Sequence, residues 1–506
     1  MSLKGCRFVI LFLLLLAVHN GRAATQPNIV LFFIDDMGWR DWSGSGNTYL
    51  QTPSIDRIAA RGVVFEQGYV NAANCAPSRC ALLSGQYSTR THFYNVWSVD
   101  RGHPELDRLS LNDVTDGQVF ADEKTSFAEA LKLAGYKTAM YGKWHVSGHG
   151  RDGSGNKGGV SPRMQGFDAV LEHPSKELGA MFKATGDPKN IFLYTKRAMD
   201  FAEQCTAENK PFMIYMAHHA VHVGSVSLPE SRELYTRKAP SGPIDNAPPY
   251  AAMMHDTDTS IGMMLDKLKA LGIEDHTVVM LLSDNGGVPG NCTQPPLRAY
   301  KGSYYEGGIR VPFMISWPGR IKPGRNTDPV MAIDLYPTML EMAGVKDIQS
   351  HLGDYVIDGT SLMPALDGGA LKERSLFWHC PAYLPGSAKY TGTRSPDYRL
   401  QPVSVIRKGD WKLHLFMEEW SLDGGRDRLE TNHAVELYNV KEDIGEQHDL
   451  ALTHPAKRNE LLDELLAWHR ETNAEIPREP NPRLGLKPEG KRKKDKKKTA
   501  TDAPPR

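Results

Sequence analysis

The chain has 506 residues, of which 40% are hydrophobic and 24% are charged. These proportions are those of ordinary globular proteins, so they exclude a disordered, a fibrous or a multi-span membrane protein. The length exceeds the usual limit of a single hydrophobic core and predicts one large domain with a smaller companion. Composition points to no activity, so the function has to be sought in individual sites.

Residues 1–24 are expected to form a secretory signal peptide. Lys4 and Arg7 precede an apolar run at residues 8–18, and the segment ends in two alanines. This order of basic, apolar and small residues is typical of a cleaved signal. The run is too short to cross about 30 Å of hydrocarbon as a helix, and no later stretch is long enough. We therefore expect a secreted or periplasmic protein without a membrane span; a retained N-terminal anchor is the alternative.

The charge is unevenly distributed although the formal net charge is zero. Residues 491–498 contain seven basic residues and one aspartate, and residues 25–490 carry a formal charge of about −9. A folded body of this sign does not favour nucleic-acid binding. Residues 481–506 are expected to be a disordered basic tail, because they are rich in charge and proline and lack an apolar period. Contact of this tail with a polyanion is the alternative.

Five cysteines remain after removal of the predicted signal, which contains Cys6. An odd number of widely spaced cysteines in an exported chain does not indicate a disulfide scaffold. It suggests that one thiol has its own chemistry. The five are Cys75, Cys80, Cys205, Cys292 and Cys380.

From Asn28 the chain alternates between strand and helix patterns, which predicts a parallel sheet with helices on both faces. Ser126 and Glu129 form a capping box at the start of one of the helices. In open sheets of this kind, ligands bind beyond the carboxyl ends of the strands. The predicted strands are residues 29–34, 63–70, 137–144, 212–217 and 278–283.

Two long loops rich in glycine and proline, residues 92–122 and 148–190, suggest binding edges. After about Leu371 the pattern changes to short strands followed by an amphipathic helix at residues 455–470. This change predicts a small C-terminal α+β domain with an antiparallel sheet. We expect a signal peptide at 1–24, a catalytic domain at 25–371, a C-terminal domain at 372–480 and a basic tail at 481–506.

Oxygen-bearing side chains follow two of the predicted strands. Asp35 and Asp36 follow the first strand, and Asp284 and Asn285 follow the strand at 278–283. Either pair alone could be ordinary capping or turn residues. Together, at one sheet edge and without neighbouring thiolates or imidazoles, they favour a calcium or magnesium site over a zinc site.

Cys75 stands at the predicted start of a helix that ends at Gly85. Unpaired backbone N–H groups and the positive end of the helix dipole would hold an anion beside its side chain. Arg79, one turn along, faces the same way with a planar donor fork. A single cysteine is usually structural, but such residues rarely lie in a polar Asn-Cys-Ala-Pro-Ser-Arg run.

The run from Cys75 to Arg79, continued by Leu83-Ser84-Gly85, resembles the Cys-X-Pro-Ser-Arg signature of type I sulfatases. In that family a dedicated maturation enzyme oxidises the cysteine to formylglycine. The resemblance spans most of the chain and implies an alkaline-phosphatase-like α/β/α sandwich with a mostly parallel central sheet. The other matching segments are 35–36, 142–145, the strand ending near His222, 283–287, 301–303, 305–308, 358–362, 407–412 and 436–438.

The resemblance implies a sulfuric ester hydrolase with one Ca²⁺ per chain and a sulfated small molecule or glycan as substrate. A hydrated formylglycine would attack sulfur with one hydroxyl, and loss of the proton from the other would release sulfate. The implied metal ligands are Asp35, Asp36, Asp284, Asn285 and the modified Cys75. The implied catalytic residues are Cys75, Arg79, Lys143, His145, His222 and Lys301.

Within this set the resemblance implies separate roles. Asp284 would take the proton of the attacking hydroxyl, and His145 would drive the elimination. Arg79, Lys143 and Lys301 would stabilise charge on the sulfate oxygens. His222, together with Lys301, would act at the leaving oxygen.

The sequence departs from the family pattern at two places. Val221 precedes His222 where proline is common, and the nearby His218 and His219 could bind substrate, be spare loop residues or form a soft-metal site with His222. Cys80 replaces a common alanine, and a disulfide with Cys75 would inactivate the enzyme. Two other functions stay open: a phosphonate monoester or phosphodiester hydrolase with the same nucleophile, and a non-catalytic glycan-binding homologue.

Overall fold

The computed structural model describes residues 26–96, 98–115, 117, 119–147, 159–173, 186–238, 246–292 and 294–486. The predicted signal peptide lies outside the described residues, as do residues 487–506 of the predicted tail and much of the loop 148–190. Within the described ranges, no helix combines the length and the apolar composition that crossing a bilayer requires.

The larger part of the chain is built on an eight-stranded sheet. The first ten strands are β1 (Asn28–Ile34), β2 (Gly62–Phe65), β3 (Gly68–Tyr69), β4 (Lys137–Lys143), β5 (Ala169–His173), β6 (Phe212–Ala217), β7 (Thr277–Ser283), β8 (Phe313–Ser316), β9 (Gly324–Asn326) and β10 (Val330–Met331). Eight of them form one sheet in the order β5-β4-β6-β1-β7-β8-β2-β9. Only β8 runs antiparallel to its two neighbours, so the prediction of a mostly parallel sheet is confirmed.

One predicted strand is interrupted. Residues 63–70 were expected to be continuous, but Glu66 and Gln67 form a turn between β2 and β3. Strand β3 pairs with β10 in a separate two-stranded ribbon. The backbone oxygen of Glu66 accepts hydrogen bonds from the side chain of Arg310, at 3.1 Å from Nε and 2.7 Å from Nη2, outside the sheet.

Helices cover both faces of the sheet. They are α1 (Pro53–Ala60), α2 (Cys75–Ser84), α3 (Ser88–Thr91), α4 (Phe127–Leu133), α5 (Ile191–Ala207), α6 (Pro229–Arg237), α7 (Pro248–Ala270), α8 (Glu306–Ile309), α9 (Leu335–Met342), α10 (Ile348–Leu352) and α11 (Met363–Leu366). The predicted capping box at the start of α4 is confirmed.

Strand β1 shows why the layers form. Its side chains alternate between the two faces of the sheet, and all seven of its residues are buried. Leu31 packs in a core with α2, α4 and α9. Phe32, on the other face, packs in a core with α1, α5 and α7. These two cores make the predicted α/β/α sandwich.

The C-terminal part contains an antiparallel sheet, as predicted. Its elements are β11 (Ser375–Cys380), β12 (Leu384–Pro385), β13 (Tyr398–Leu400), β14 (Val403–Lys408), β15 (Trp411–Phe416), α12 (Met417–Leu422), β16 (Val435–Asn439) and α13 (Pro455–Glu471). Strands β11-β14-β15-β16 form one sheet, and β12 and β13 form a hairpin. Its apolar residues continue the core that contains Leu31. The domain boundary at residue 371 stays a prediction.

Buried charges join the C-terminal sheet to the larger part of the chain. Lys412 Nζ in β15 lies 2.9 Å from an oxygen of Glu306 in α8 and 2.9 Å from an oxygen of Glu446. His414 Nε2 lies 3.1 Å from the same oxygen of Glu446. The side chains of Lys412 and of both glutamates are fully buried. The two parts are therefore connected by a charge network as well as by apolar packing.

Candidate metal and catalytic site

The ends of β1 and β7 bring the four predicted oxygen ligands together. The two strands are parallel neighbours, and Ile34 lies opposite Ser283. The Asp36 backbone N–H therefore donates to Asp284 Oδ1 at 3.2 Å, and Asn285 Nδ2 donates to Asp36 Oδ1 at 2.7 Å. Asp36 takes the left-handed conformation, with φ of 66°, where its chain turns away from β1.

Three oxygens of this cluster have no hydrogen-bond partner among the described residues. They are Asp35 Oδ1, Asp36 Oδ2 and Asn285 Oδ1. A buried acceptor without a partner costs free energy, and native proteins rarely leave one unsatisfied. Carboxylate and amide oxygens that converge in this way fit a hard cation such as Ca²⁺ or Mg²⁺.

Cys75 borders the same cluster. It is the first residue of α2, follows Asn74 in extended conformation and is 3% exposed. Its Sγ and one carboxylate oxygen from each of Asp35 and Asp284 all lie within 4.8 Å of one another. Burial raises the pKa of the Cys75 thiol, although the charges of Lys143 and Lys301 oppose the shift. Burial therefore favours the neutral thiol over the thiolate, which is the nucleophilic form.

Each of the three carboxylates is paired with one cation. Lys143 Nζ lies 2.5 Å from Asp35 Oδ2, and Lys301 Nζ donates to Asp36 Oδ1. Asp284 is paired with Arg79, which donates to its Oδ2 from Nε at 2.9 Å and from Nη2 at 2.7 Å.

These charges shift the pKa values of the site. Burial would raise the pKa of Asp35, but the charge of Lys143, helped by those of His222 and Lys301, holds it well below its usual range. Burial, together with the charge of Asp35, raises the pKa of Asp284 to about 6. The neighbouring charges therefore lower the pKa of Asp35, whereas the pKa of Asp284 is raised.

Arg79 differs from the sequence-based expectation. We expected its donor fork to contact a bound anion, but it is fully buried and its fork is directed at Asp284. Its Nη1 also donates to the backbone oxygen of Lys143 at 2.9 Å. These contacts favour a role in positioning Asp284 and Lys143.

The two predicted catalytic histidines follow β4 and β6. His145 is half-buried and has a φ of 66°. His222 has 27% of its side chain exposed, and its Nε2 lies 3.8 Å from Asp36 Oδ2. Burial lowers the pKa of His222, although the charges of Asp35 and Asp36 oppose the shift.

His218 is buried beside the site. Its ring stacks on Phe32 at 6.1 Å, and burial lowers its pKa to about 4. The described residues contain no group of three histidines at metal-ligand distances, but one nitrogen of His222 and one oxygen from each of Asp35 and Asp36 lie within 4.8 Å of one another. The predicted oxygen cluster is therefore bordered by one imidazole.

Lys189 belongs to the site, but the sequence did not predict it. Its only indication was its place in the long loop 148–190. Its Nζ donates to the backbone oxygens of His222 and, at 3.1 Å, of Val223. Burial lowers its pKa to about 8, although the charges of Asp35 and Asp36 oppose the shift. Lys189 therefore holds the chain that carries His222.

All five cysteines of the described residues are free and buried. Cys80 faces the apolar core that contains Leu31 and makes no disulfide with Cys75. The alternative in which these two residues form a disulfide is therefore absent from the structure.

The chain is similar to known proteins over almost its whole length. The sulfatase family profile matches residues 27–345, and the profile of the N-sulphoglucosamine sulphohydrolase C-terminal region matches residues 300–466. A sulfatase of Formosa agariphila is 30% identical over 89% of this chain and 90% of its own length. N-acetylgalactosamine-6-sulfatase of Canis lupus familiaris is 30% identical over 73% of this chain and 72% of its own length.

A solved structure shares the fold. The crystal structure of Ps i-CgsB in complex with k-i-k-neocarrahexaose has a TM-score of 0.65 and 25% identity, and the match covers 88% of this chain and 93% of that one. The similarity thus includes the C-terminal antiparallel sheet as well as the central sheet.

Proposed function

Because the chain belongs to the sulfatase family and is a sulfuric ester hydrolase, we propose that it releases inorganic sulfate from a sulfated carbohydrate with a formylglycine made from Cys75. One observation carries this proposal. Residue 75 lies at the start of α2, next to Asp35 and Asp284, in a cluster where three buried oxygens have no partner. A nucleophile at this position would face a cation-binding site directly.

The metal is proposed to be Ca²⁺, one per chain, held by Asp35, Asp36, Asp284 and Asn285. The ligand set consists of hard oxygen donors, which suits calcium better than zinc. When bound, the ion supplies positive charge that polarises a sulfate oxygen and lowers the pKa of a neighbouring hydroxyl.

Formylglycine supplies two hydroxyl groups when hydrated: one can attack sulfur as the alcohol leaves, and deprotonation of the other re-forms the carbonyl and releases sulfate. The conversion needs a formylglycine-generating or sulfatase-maturing enzyme as partner. It also fits a secreted or periplasmic location, which we propose from the N-terminal signal pattern.

The other side chains around residue 75 stabilise charge or transfer protons. Lys143 and Lys301 place positive charge where the sulfate oxygens would lie. Asp284, with its pKa raised to about 6, accepts the proton of the attacking hydroxyl. His145 accepts the proton lost in the elimination, and the partly exposed His222 donates to the leaving oxygen.

Two relatives support a carbohydrate substrate. The canine relative is named for a sulfated amino sugar, and the solved structure holds a neocarrahexaose. The long loop 92–122 and the β12–β13 hairpin provide a broad rim, which suits a sugar chain better than a small aryl group.

The test is expression of the chain with a formylglycine-generating enzyme. Mass spectrometry of the Cys75 peptide should show formylglycine, and Cys75→Ala should abolish sulfate release from 4-nitrophenyl sulfate and from a panel of sulfated glycans. Cys205→Ala is the matched control, because Cys205 is buried in α5 in the core on the other face of the sheet from α2. An unmodified thiol in fully active protein would refute the formylglycine mechanism.

Adding a phosphonate monoester and a phosphodiester to this panel separates the alternatives. Faster turnover of a phosphonate monoester or a phosphodiester than of any sulfate ester would overturn the proposed preference for sulfate. Glycan binding without any release of sulfate by formylglycine-containing protein would support a binding role.

A further inference from the structure

The rim of the site is made by two segments that lie far apart in the sequence. Residues 92–115 pack against the β12–β13 hairpin: Tyr398 OH donates to Asp107 Oδ1 at 2.6 Å, and the Leu109 N–H donates to Tyr383 OH at 3.0 Å. Asn95 Nδ2 also donates to the Tyr383 backbone oxygen at 3.3 Å. The loop and the hairpin therefore form one wall.

This wall contacts the chain next to residue 75. Asn74, the residue before Cys75, donates from Nδ2 to Asn95 Oδ1 at 3.5 Å. On the other side of the rim, the Gly302 N–H donates to the Ala73 backbone oxygen at 2.8 Å. Side chains on this wall can therefore contact the parts of a substrate next to the scissile group.

Arg399 in β13 lies against Gly302, the neighbour of Lys301. A Cβ atom at Gly302 would be 3.4 Å from both Cβ and Cδ of Arg399. The guanidinium is fixed by neutral groups: Nε donates to the Pro385 backbone oxygen at 2.9 Å and Nη1 to Tyr390 OH at 3.1 Å. Its carbon lies 4.5 Å from the centre of the Tyr390 ring.

The charge of Arg399 is not neutralised by these contacts. Arg394, on the same segment, forms an ion pair with Glu419 at 3.0 Å. No carboxylate of the described residues forms such a pair with Arg399, which has only uncharged acceptors. A rigid and half-buried guanidinium without a counterion is a suitable binding group for an anion.

Arg101 carries a second guanidinium on the loop side of the wall, next to Val96, whose neighbour Asn95 contacts Asn74. It is half-buried, and its Nη1 donates to the Val96 backbone oxygen at 3.2 Å. Burial and the charge of Arg399 lower the pKa of Arg101, whereas the side chain of Cys75 opposes the shift. The two arginines therefore place their positive charges on the two segments of one wall, within electrostatic reach of each other.

We propose that Arg101 and Arg399 form a second anion site, which binds another negative group of the sugar chain next to the scissile sulfate ester. The group is an oxyanion, either a carboxylate or a second sulfate, because both match the planar donor fork of arginine. This inference rests on the proposed function and narrows its substrate class to polyanionic glycans. Residues 25–490 carry a formal charge of about −9, so a polyanionic substrate would be attracted to this local positive site and not to the protein surface in general.

The test uses disaccharides that carry one scissile sulfate and differ only in the neighbouring sugar, which bears a carboxylate, a sulfate or a neutral hydroxymethyl group. We expect Arg101→Gln and Arg399→Gln to lower the ratio of kcat/KM for the charged over the neutral disaccharide by about tenfold, because a hydrogen bond to a charged group is lost. Arg399→Lys should restore part of the ratio. Arg394→Gln, which removes an arginine of the same segment, should leave the ratio unchanged.

The carboxylate and the second sulfate are distinguished by which of the two charged disaccharides shows the larger fall. An unchanged ratio in both glutamine variants would overturn the second anion site, even if kcat/KM falls equally on the charged and neutral disaccharides.

Binding provides a readout that does not depend on turnover. In a Cys75→Ala background, calorimetry should show that Arg399→Gln weakens binding of a charged disaccharide by about tenfold relative to the neutral one. Equal affinities of the Cys75→Ala parent for the charged and neutral disaccharides would also overturn the second site. If the wild-type protein releases no sulfate although this difference in binding is present, the proposed function fails and the second site stands.

Discussion

Lys412→Met is expected to weaken the attachment of the C-terminal sheet more than any change at the protein surface. Lys412 lies 2.9 Å from Glu306 and 2.9 Å from Glu446, and none of the three side chains is accessible to solvent. Methionine has nearly the same length but no charge, so the substitution leaves two buried carboxylates without their shared cation.

The size of the effect follows from burial and charge. Removing one partner of a buried ion pair typically destabilises a protein by about 3–5 kcal/mol, because an uncompensated charge stays in the interior. Burial would raise the pKa of Glu306, but the charges of Lys412, Arg310 and Arg407 lower it from 4.5 to about 2. A shift of this size corresponds to roughly 3 kcal/mol in favour of the ionised carboxylate.

Urea unfolding at pH 7, followed by tryptophan fluorescence, measures the loss. Lys408→Met is the matched control: Lys408 forms an ion pair with Glu464 at 2.8 Å, but its side chain is 35% exposed. A surface pair of this kind contributes about 0–1 kcal/mol. Equal shifts of the unfolding midpoint in the two variants would refute the reasoning.

Acid titration gives an independent check. The folded-state pKa of Glu306 lies below its value of 4.5 in the unfolded chain, so its contribution to stability is present above pH 4.5 and is lost as the pH falls towards 2. The wild type should lose stability steeply in this window. Lys412→Met should lose less there, because much of that contribution is already absent.

Two further predictions concern buried basic groups. Lys189→Ala should lower kcat by about tenfold with a smaller change in KM, because the segment that carries His222 loses its charged hydrogen bonds. Lys189→Arg should recover part of kcat, and Lys210→Ala, at an exposed position, should have no effect. An unchanged kcat in Lys189→Ala would contradict the positioning role. Burial lowers the pKa of His469, whose Nε2 lies 2.8 Å from Ser404 Oγ, from 6.5 to about 4, so the unfolded chain binds more protons between these values and stability falls as the pH falls through that window. Urea midpoints between pH 7 and pH 4 should show this slope, and His469→Gln should flatten it; an equal slope in the variant would contradict the assignment.

The sequence predicted that the oxygen-bearing side chains of the site would meet, because two local patterns combine with one topological rule. The apolar runs of β1 and β7 mark buried parallel strands, and polar residues at their ends must meet at one edge of the sheet. Asp36 and Asp284 are brought together in this way, as their 3.2 Å hydrogen bond shows. The helix start at Cys75 was likewise readable from local sequence.

The remaining features depend on contacts between distant segments. The direction of Arg79 is set by Asp284, which is 205 residues away, and helical periodicity could not distinguish this partner from a bound anion. Lys189 and Arg399 lie in segments without a strong periodic pattern, and their roles arise from what lies opposite them in space. After Phe65 the Glu66 N–H still bonds to Asn326 in β9, but the Glu66 backbone oxygen and the Gln67 side chain have partners outside the sheet, and the strand ends there.

The charge balance of the site connects the proposed cation with the proposed second anion site. Three carboxylates and three basic side chains cancel one another around residue 75, and Lys189 adds one positive charge, so a divalent cation would give the site a formal charge of about +3. A sulfate monoester brings a single negative charge and would offset only part of it. Arg399, which has only uncharged acceptors among the described residues, makes the positive excess larger than one ester can neutralise, and a substrate with further negative groups satisfies it better. On this reasoning the preference for charged disaccharides should decrease as the salt concentration rises, because the exposed part of the attraction is screened.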